Sequence, residues 1–539
     1  MRDRLFRFVD VSVKCQFDHL VVREGAIFGY GWCLRGEDEI SDAVLEVDCE
    51  GGRCARVRVV TGRLREDVAL RVANNAAARF SGFMVFGGWG PSRAVSANIR
   101  FAFKSGHEAI VPVEMPGAGS DALVRRAGAA YRIRRVLSHV LSGQWGSLAT
   151  RAREFRRRKT VQPHAELGEL SRAILGTRLL LVIDHSMGGG ANLYRDDVLS
   201  KWTEGRGTAM LLTFHVPSLM YRLEVYRPDR PAVTADVPHL QQVESILGAA
   251  SLVQVLLNCA VSMPSPGRVL ESVQSLVTRT GARLSVAIHD YFCVCPSPFL
   301  LDYRGQFCGV PSRERCESCL PAHDDGYATL AEERSVPAWR QRWGALLESA
   351  DEVRCFSTSS ARILARAYPD LGARVSVVPH EVAPLRRVRL TSHGTGRIVI
   401  GVVGAISSHK GAEVVVELAK AIEASRRDIR IVVIGRLEGA CPASVVTQTG
   451  PYEREQLPEL VERWGIGMVL MPSICPETFS FVSHEVVLMG VPLMTLDLGA
   501  QAEVARGYRF GHVVRNSSGV ALMAEIEEFV ARLRGNPVP

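Results

Sequence analysis

The sequence predicts two doubly wound α/β domains in tandem, preceded by an antiparallel β-sandwich and a basic helical segment. Three observations lead there. Residues 1–116 hold short runs of β-formers broken by Gly, Asn and Asp, such as HLVVREGAIFGYGWCL and SANIRFAFKSGHEAIVPVEM, with no helical stretch between them. From Leu179 unbroken Val, Ile and Leu runs alternate with amphipathic segments, as expected of parallel strands covered on both faces: LLLVID, AMLLTF, VQVLLN, LSVAIHD, VRCFST and VSVVP. The pattern restarts after a break near Pro384 to Arg397 with IVIGVVG, IRIVVIG, MVLMPS and PLMTLD, so there are two such domains.

The expected boundaries are 1–116 for the sandwich, 117–176 for the basic linker, 177–390 for the first α/β domain and 391–539 for the second. A chain of 539 residues with 47% apolar and 23% charged residues has ample material for several cores, which excludes wholesale disorder. No run approaches the roughly 18 to 20 apolar residues of a membrane span, and MRDRLFRFVD has no apolar signal region, so the expected location is cytoplasmic. Thirteen cysteines in such a chain point to reduced thiols rather than a disulfide framework.

The net charge of +8 is concentrated. Between Arg125 and Lys159 there are 11 Lys or Arg against the single acid Glu154, so this segment carries +10 and the remainder −2. Tyr131, Ile133, Val136, Leu137, Val140, Leu141, Trp145, Leu148 and Phe155 thread through it. That composition fits two readings equally: an amphipathic helix lying peripherally on an anionic membrane surface, or an interdomain helix packing its apolar stripe on a neighbour. No recognition motif accompanies the charge, which disfavours nucleic acid as a partner.

The densest chemistry lies in PSICPETFSFVSHEVVLMGVPLMTLDLGAQAE, residues 472–503. Glu477 and Glu485 stand eight positions apart across a helix expected to begin near Phe479, a little over two turns, so both carboxylates are expected on nearly one face. Free N–H groups from Phe479 and Ser480 at that helix terminus suit a diphosphate. A carboxylate deeper in the helix can accept ribose hydroxyls. Two acids on an exposed helix is the plain alternative.

This stretch resembles the retaining family 4 glycosyltransferases of GT-B fold. The likeness takes in Pro472-Ser473, Pro476-Glu477-Thr478, the two glutamates, Gly490-Val491-Pro492, Asp497-Leu498-Gly499-Ala500 and Glu503, and extends back through Gly450-Pro451-Tyr452, Val403-Gly404-Ala405 and Lys410-Gly411. It implies two Rossmann-like domains facing a cleft, with the nucleotide diphosphate sugar on the second. Glu477 would lie beside the donor sugar and its leaving diphosphate, Glu485 would hold the ribose, and Lys410 would neutralise diphosphate charge. Gly404, Tyr452, Phe479 and Ser480 complete the implied donor site. Many family members carry Arg after the glycine equivalent to Gly404; here Ala405 stands there. Either His409 or an arginine elsewhere substitutes, or activity is weaker or lost.

In the first α/β domain, Met187-Gly188-Gly189-Gly190 follows the strand LLLVID. It is not G-x-G-x-x-G, which disfavours a dinucleotide cofactor; the resemblance implies that Gly189 and Gly190 face the donor, and a tight turn is the alternative. His289 leaves the carboxyl end of LSVAIHD, where open α/β sheets bind ligands, and the resemblance implies a donor-sugar contact. Cys295, Cys308, Cys316 and Cys319 offer four thiolates, with a knuckle spacing at Cys316-x2-Cys319, for a structural zinc or iron–sulfur cluster; packing cysteines are the alternative.

The leading expectation is a retaining hexosyltransferase-like enzyme. It needs no divalent ion for catalysis, since no D-x-D pair sits at a plausible strand end, and it moves a sugar onto a growing, lipid-linked surface glycan. A non-catalytic glycan-binding partner and a nucleotide-sugar epimerase on the same fold are the competitors. The sandwich binds glycan, positions a partner or is pure scaffold.

Overall fold

A computed structural model describes residues 12–535 apart from 90–93, 117–121, 127–166, 324–334, 391–396 and a few isolated positions. The chain divides into two compact units, Met1–Leu284 with Glu317–Arg342, and Ser285–Cys316 with Trp343–Pro539.

The first unit opens with the sandwich. One sheet, in the order β5-β6-β2-β1-β9, is built from β1 (Lys14–Arg23), β2 (Ala26–Leu34), β5 (Val60–Arg63), β6 (Gly82–Gly88) and β9 (Ala122–Arg126); the other, β4-β3-β7-β8, from β3 (Ile40–Cys49), β4 (Gly52–Arg58), β7 (Ala94–Phe103) and β8 (Glu108–Pro112). All pairings are antiparallel. Period-two alternation puts Ala97, Ile99, Phe101 and Phe103 of β7 inward, against Leu20, Ile27, Phe83 and Val85 of the facing sheet, and Phe83 meets Phe101 edge to face at 5.2 Å. Arg65 is buried between two acids, 2.7 Å from Asp18 and 2.8 Å from Asp67.

Strand β9 corrects one expectation. Arg125 and Arg126, read as the start of a helix, pair with Leu20 and His19 on the edge of the sheet, because Leu123 and Val124 bring β-formers alongside an open strand. The other nine basic residues of the segment, from Arg132 to Lys159, lie outside the described residues. Among the described residues no helix is long and apolar enough to cross a membrane.

The rest of the first unit is α/β. β10 (Arg178–Ile183) lies between parallel β11 (Thr208–His215) and β14 (Ser251–Leu257). An antiparallel hairpin that the sequence reading did not anticipate, β12 (Met220–Arg227) and β13 (Arg230–Val237), extends the β11 side. The sandwich is joined to this part by the buried His19, whose Nε2 lies 2.7 Å from the Pro217 carbonyl oxygen. The chain passes into the second unit within β15 (Arg283–Ala287), which runs parallel to β16 (Glu352–Cys355), itself parallel to β17 (Val375–Val377).

The second unit continues with a six-stranded parallel sheet of β18 (Ile398–Ile406), β19 (Ile429–Leu437), β20 (Val446–Gln448), β21 (Met468–Met471), β22 (Leu493–Leu496) and β23 (Gly511–Val514), in the order β20-β19-β18-β21-β22-β23. This is the doubly wound 3-2-1-4-5-6 order, whose direction reverses between β18 and β21. The unbroken apolar runs are explained by β19: Ile431 and Val433 enter one core cluster while Val432 and Ile434 enter the cluster on the opposite face.

Breaking one side of a buried ion cluster leaves charges stranded. Arg65→Ala should therefore lower unfolding free energy by about 3–5 kcal/mol, measured by denaturant titration, whereas an exposed pair such as Arg397–Asp428 should lose less than about 1 kcal/mol on the same change.

Candidate active site

The reversal point of the six-stranded sheet gathers the lysine- and glutamate-bearing motifs on two loops. Near its end β18 passes Gly404, which has φ 119°, and beyond Ile406 the chain runs through the turn Ser408–Lys410 to Gly411, φ 83°. A Cβ at Gly411 would stand 1.9 Å from the Pro472 carbonyl oxygen, so glycine alone lets the Lys410 turn lie against the loop leaving β21. Lys410 is exposed.

That second loop, Pro472 to Ser480, is held at both ends. Ser473, buried, donates from Oγ to Glu477 Oε1 at 2.7 Å. Gln501, fully buried, donates from Nε2 to the Cys475 carbonyl at 2.9 Å and accepts the Glu477 N–H on Oε1 at 3.1 Å, while Ala500 N–H reaches the Glu477 carbonyl at 2.9 Å. A Cβ on Gly499 would lie 2.4 Å from Glu477 N. The Thr478 hydroxyl donates to the His289 carbonyl at 2.8 Å, which ties His289 to the glutamate loop. Glu477 is half-buried, with one carboxylate oxygen engaged by Ser473.

The helix that follows is Phe481–Met489, with Ser480 as its N-cap and no side chain capping its first N–H groups. Glu477 therefore precedes the helix, and the shared helical face expected for the two glutamates does not exist. The clamp by Gln501 and Gly499 keeps Glu477 in the loop, and only Glu485 is helical. Glu485 is buried, and Arg454 donates to its Oε1 from Nε at 2.6 Å and to the Ala383 carbonyl from Nη2. Burial pushes the Glu485 carboxyl upward and the Arg454 ion pair pulls it back. Tyr452, on the neighbouring loop, is raised to about 12 by burial and then by the Glu485 charge.

Aromatic rings pack around this centre. His289 stacks on Phe356 at 4.5 Å, Phe356 on His380 at 3.9 Å, and Phe479 stacks on His484 at 4.3 Å. His409 lies flat on Phe299, with ring centres 4.0 Å apart, and its Nδ1 is 3.1 Å from Ser407 Oγ. Burial, then the Lys410 charge, lowers His409 to about 4; burial, then Arg354 and His484, lowers His380 to about 4. At neutral pH His409 is uncharged, so it does not replace the cation absent at Ala405.

In the first unit, Gly188 and Gly189 have φ of 87° and 88°, and Gly189 is the N-cap of helix Gly190–Glu204. Three residues that sequence reasoning passed over shape this turn. Asn192 accepts the Gly188 N–H at 2.6 Å and donates to Asp184 Oδ2 at 2.8 Å and to the His185 carbonyl at 2.9 Å, and Arg195 donates to that carbonyl at 3.0 Å. Asp184 is fully buried, which raises its carboxyl against the pull of His185 and Arg195.

Among the described residues, the set of potential metal-ligand atoms lying within 4.8 Å of one another is Asp184, His185 and Cys259. Cys295, Cys308, Cys316 and Cys319 are not part of that set; Cys316 and Cys319 lie on the short helix Arg313–Cys319. The Asp184 set is itself organised as a hydrogen-bonded brace: His185 Nδ1 accepts the Met187 N–H at 3.2 Å and Arg195 already stands 3.3 Å from Asp184 Oδ2. Eleven cysteines form no disulfide, as expected, but Cys49 is disulfide-bonded, against expectation.

Two predictions follow from this packing. Gly411→Ala and Gly490→Ala both place a side chain at positive φ, a cost of about 1–2 kcal/mol each, but only at Gly411 does the new carbon also strike backbone; its melting temperature should fall clearly further. His380 and His409 titrate near 4 when folded and near 6.5 when unfolded, so between those values the unfolded chain holds protons the folded chain lacks, and stability rises with pH across that window. His409→Phe, which keeps the stack on Phe299, should flatten that slope in denaturant titrations.

Residues 390–532 match the family described as "Glycosyl transferases group 1". No curated protein sequence matches the chain. Among solved structures the chain is similar to Anabaena Alr3699/HepE in complex with UDP, at 13% identity and TM-score 0.45, covering 67% of this chain and 92% of that one. It is also similar to sucrose-phosphate synthase from Thermosynechococcus elongatus, at 13% identity and TM-score 0.43 with the same coverage, and to WaaG, a glycosyltransferase involved in lipopolysaccharide biosynthesis, at 15% identity and TM-score 0.40, covering 66% and 92%. The family match spans the six-stranded sheet and both loops of the candidate site, and the chain is a glycosyltransferase with a group 1 domain over residues 390–532.

Proposed function

We propose that this chain is a retaining glycosyltransferase of the family 4 type, moving a sugar from a nucleoside diphosphate donor to a growing, lipid-linked surface glycan. The observation that carries the reading is the clamped Glu477 loop at the reversal point of the sheet, with Lys410 on the adjoining turn and the uncapped helix Phe481–Met489 beginning four residues after Glu477. A diphosphate at a helix N-terminus is favoured by its free N–H groups and dipole. The lipid-linked acceptor and the peripheral membrane location rest on the sequence resemblance and on the basic segment alone.

The reaction fits a front-face displacement. The bond from the sugar C1 to the β-phosphate oxygen breaks with its electrons on the phosphate, and the acceptor oxygen bonds to C1 on the same face. The proton of the acceptor hydroxyl goes to the departing phosphate oxygen. Lys410 and the helix N–H groups stabilise the charge that grows on the diphosphate, and this needs no reorganisation because the loops are already fixed. Glu477, oriented by Ser473, faces the charge deficiency at the sugar. His289, tied to that loop through Thr478, orients the sugar hydroxyls, and Glu485 accepts from the ribose.

A thermal-shift screen of nucleoside diphosphate sugars tests the donor class, since a ligand at 100 times its dissociation constant adds about 2.7 kcal/mol of stability. With the donor found, Glu485→Ala should weaken nucleotide binding, and Glu477→Ala should leave binding near its original value while lowering turnover by about 100-fold or more. Equal loss of affinity in both, with turnover intact in Glu477→Ala, would reverse the roles.

A further inference from the structure

A nucleoside diphosphate carries at least two negative charges, and the reversal-point loops supply one lysine, Lys410, beside a position, Ala405, that has no charge to offer. In the parallel pairing of β18 and β19, Gly404 is in register with Gly435 and Ala405 with Arg436. Paired residues on adjacent parallel strands project from the same face of the sheet, with backbones about 4.8 Å apart. Here the approach is closer still in its demands, because a Cβ on Gly435 would lie 2.1 Å from the Gly404 carbonyl oxygen. Arg436 thus leaves the carboxyl end of its strand next to Ala405, whose methyl leaves room above it. Both residues are exposed, while Ile434, Gly435 and Leu437 around Arg436 are buried.

Three further observations single out this arginine. Among the described residues its guanidinium has no hydrogen bond, ion pair or ring partner, whereas Arg454 and Arg397 are each paired with a carboxylate. The nearest acid along its strand, Glu438, is turned to the Ser408 N–H at 3.2 Å. On its other side the Gly450 N–H bonds the Gly435 carbonyl at 3.0 Å, so Arg436 stands between the Gly404 turn and the loop bearing Tyr452. We propose that Arg436 is the second cation of the donor diphosphate site, supplied from β19 in place of a basic residue at position 405. The proposal rests on the nucleoside diphosphate reading above.

Arginine suits the task, since its planar fork matches two phosphate oxygens at once and it stays charged at every working pH. The test is calorimetric titration of the full chain with UDP and GDP beside UMP and GMP. For whichever diphosphate the wild type binds, Arg436→Ala should weaken affinity about tenfold or more while changing affinity for the matching monophosphate by less than about threefold. Arg436→Lys should recover part of the loss, and adding Ala405→Arg to Arg436→Ala should recover most of it, because the two positions serve one space. Unchanged diphosphate affinity in Arg436→Ala, equal loss for mono- and diphosphate, or no recovery by Ala405→Arg would each overturn the assignment while leaving the donor reading standing. Failure of the wild type to bind either diphosphate more tightly than its monophosphate would overturn both.

Discussion

Backbone approaching backbone more closely than any side chain permits is the constraint on which the rest of the second unit depends. Around the candidate site a β-carbon would collide with a neighbouring main chain at Gly411 against Pro472, at Gly435 against Gly404, and at Gly499 against Glu477. Each contact draws one segment onto another at the carboxyl end of the sheet. Their combined effect is a floor of packed peptide planes in which Lys410 and Glu477 are set by main-chain geometry and not by the preferences of their own long side chains. Long polar side chains lose rotamer freedom when fixed, so setting their bases first reduces the entropy that remains to be lost when a ligand binds.

The hydrogen bonds on that floor divide the labour. Gln501 holds the loop by its peptide groups, Ser473 holds the carboxylate, and Thr478 extends the hold to His289. Around them, stacked rings exclude water from one side of the site and keep two imidazoles neutral.

Much of this was legible in the sequence. Runs such as IRIVVIG announced strands buried on both faces, and the stretch Pro472 to Glu503 drew attention to the loop and helix of the candidate site. What escaped was set by contacts distant along the chain. Glu477 and Glu485 were expected on nearly one face, yet Gln501, 24 residues away, holds the Glu477 peptide in the loop ahead of the helix. The partner of Glu485 lies 31 residues upstream in Arg454, in a stretch with no periodicity to flag it. Hairpin β12–β13 escaped because it interrupts the strand–helix alternation, falling between the parallel strands β11 and β14.

The bond between His19 and Pro217 is addressed to a main-chain oxygen. A carbonyl is present whatever residue occupies that turn, so substitution there leaves the acceptor in place provided the turn keeps its shape. The joint between sandwich and α/β layer is thereby inherited with backbone conformation, and the two surfaces are free to diverge in side chains without separating. On the sandwich side the bond depends on one imidazole, His19, whose identity the backbone cannot supply.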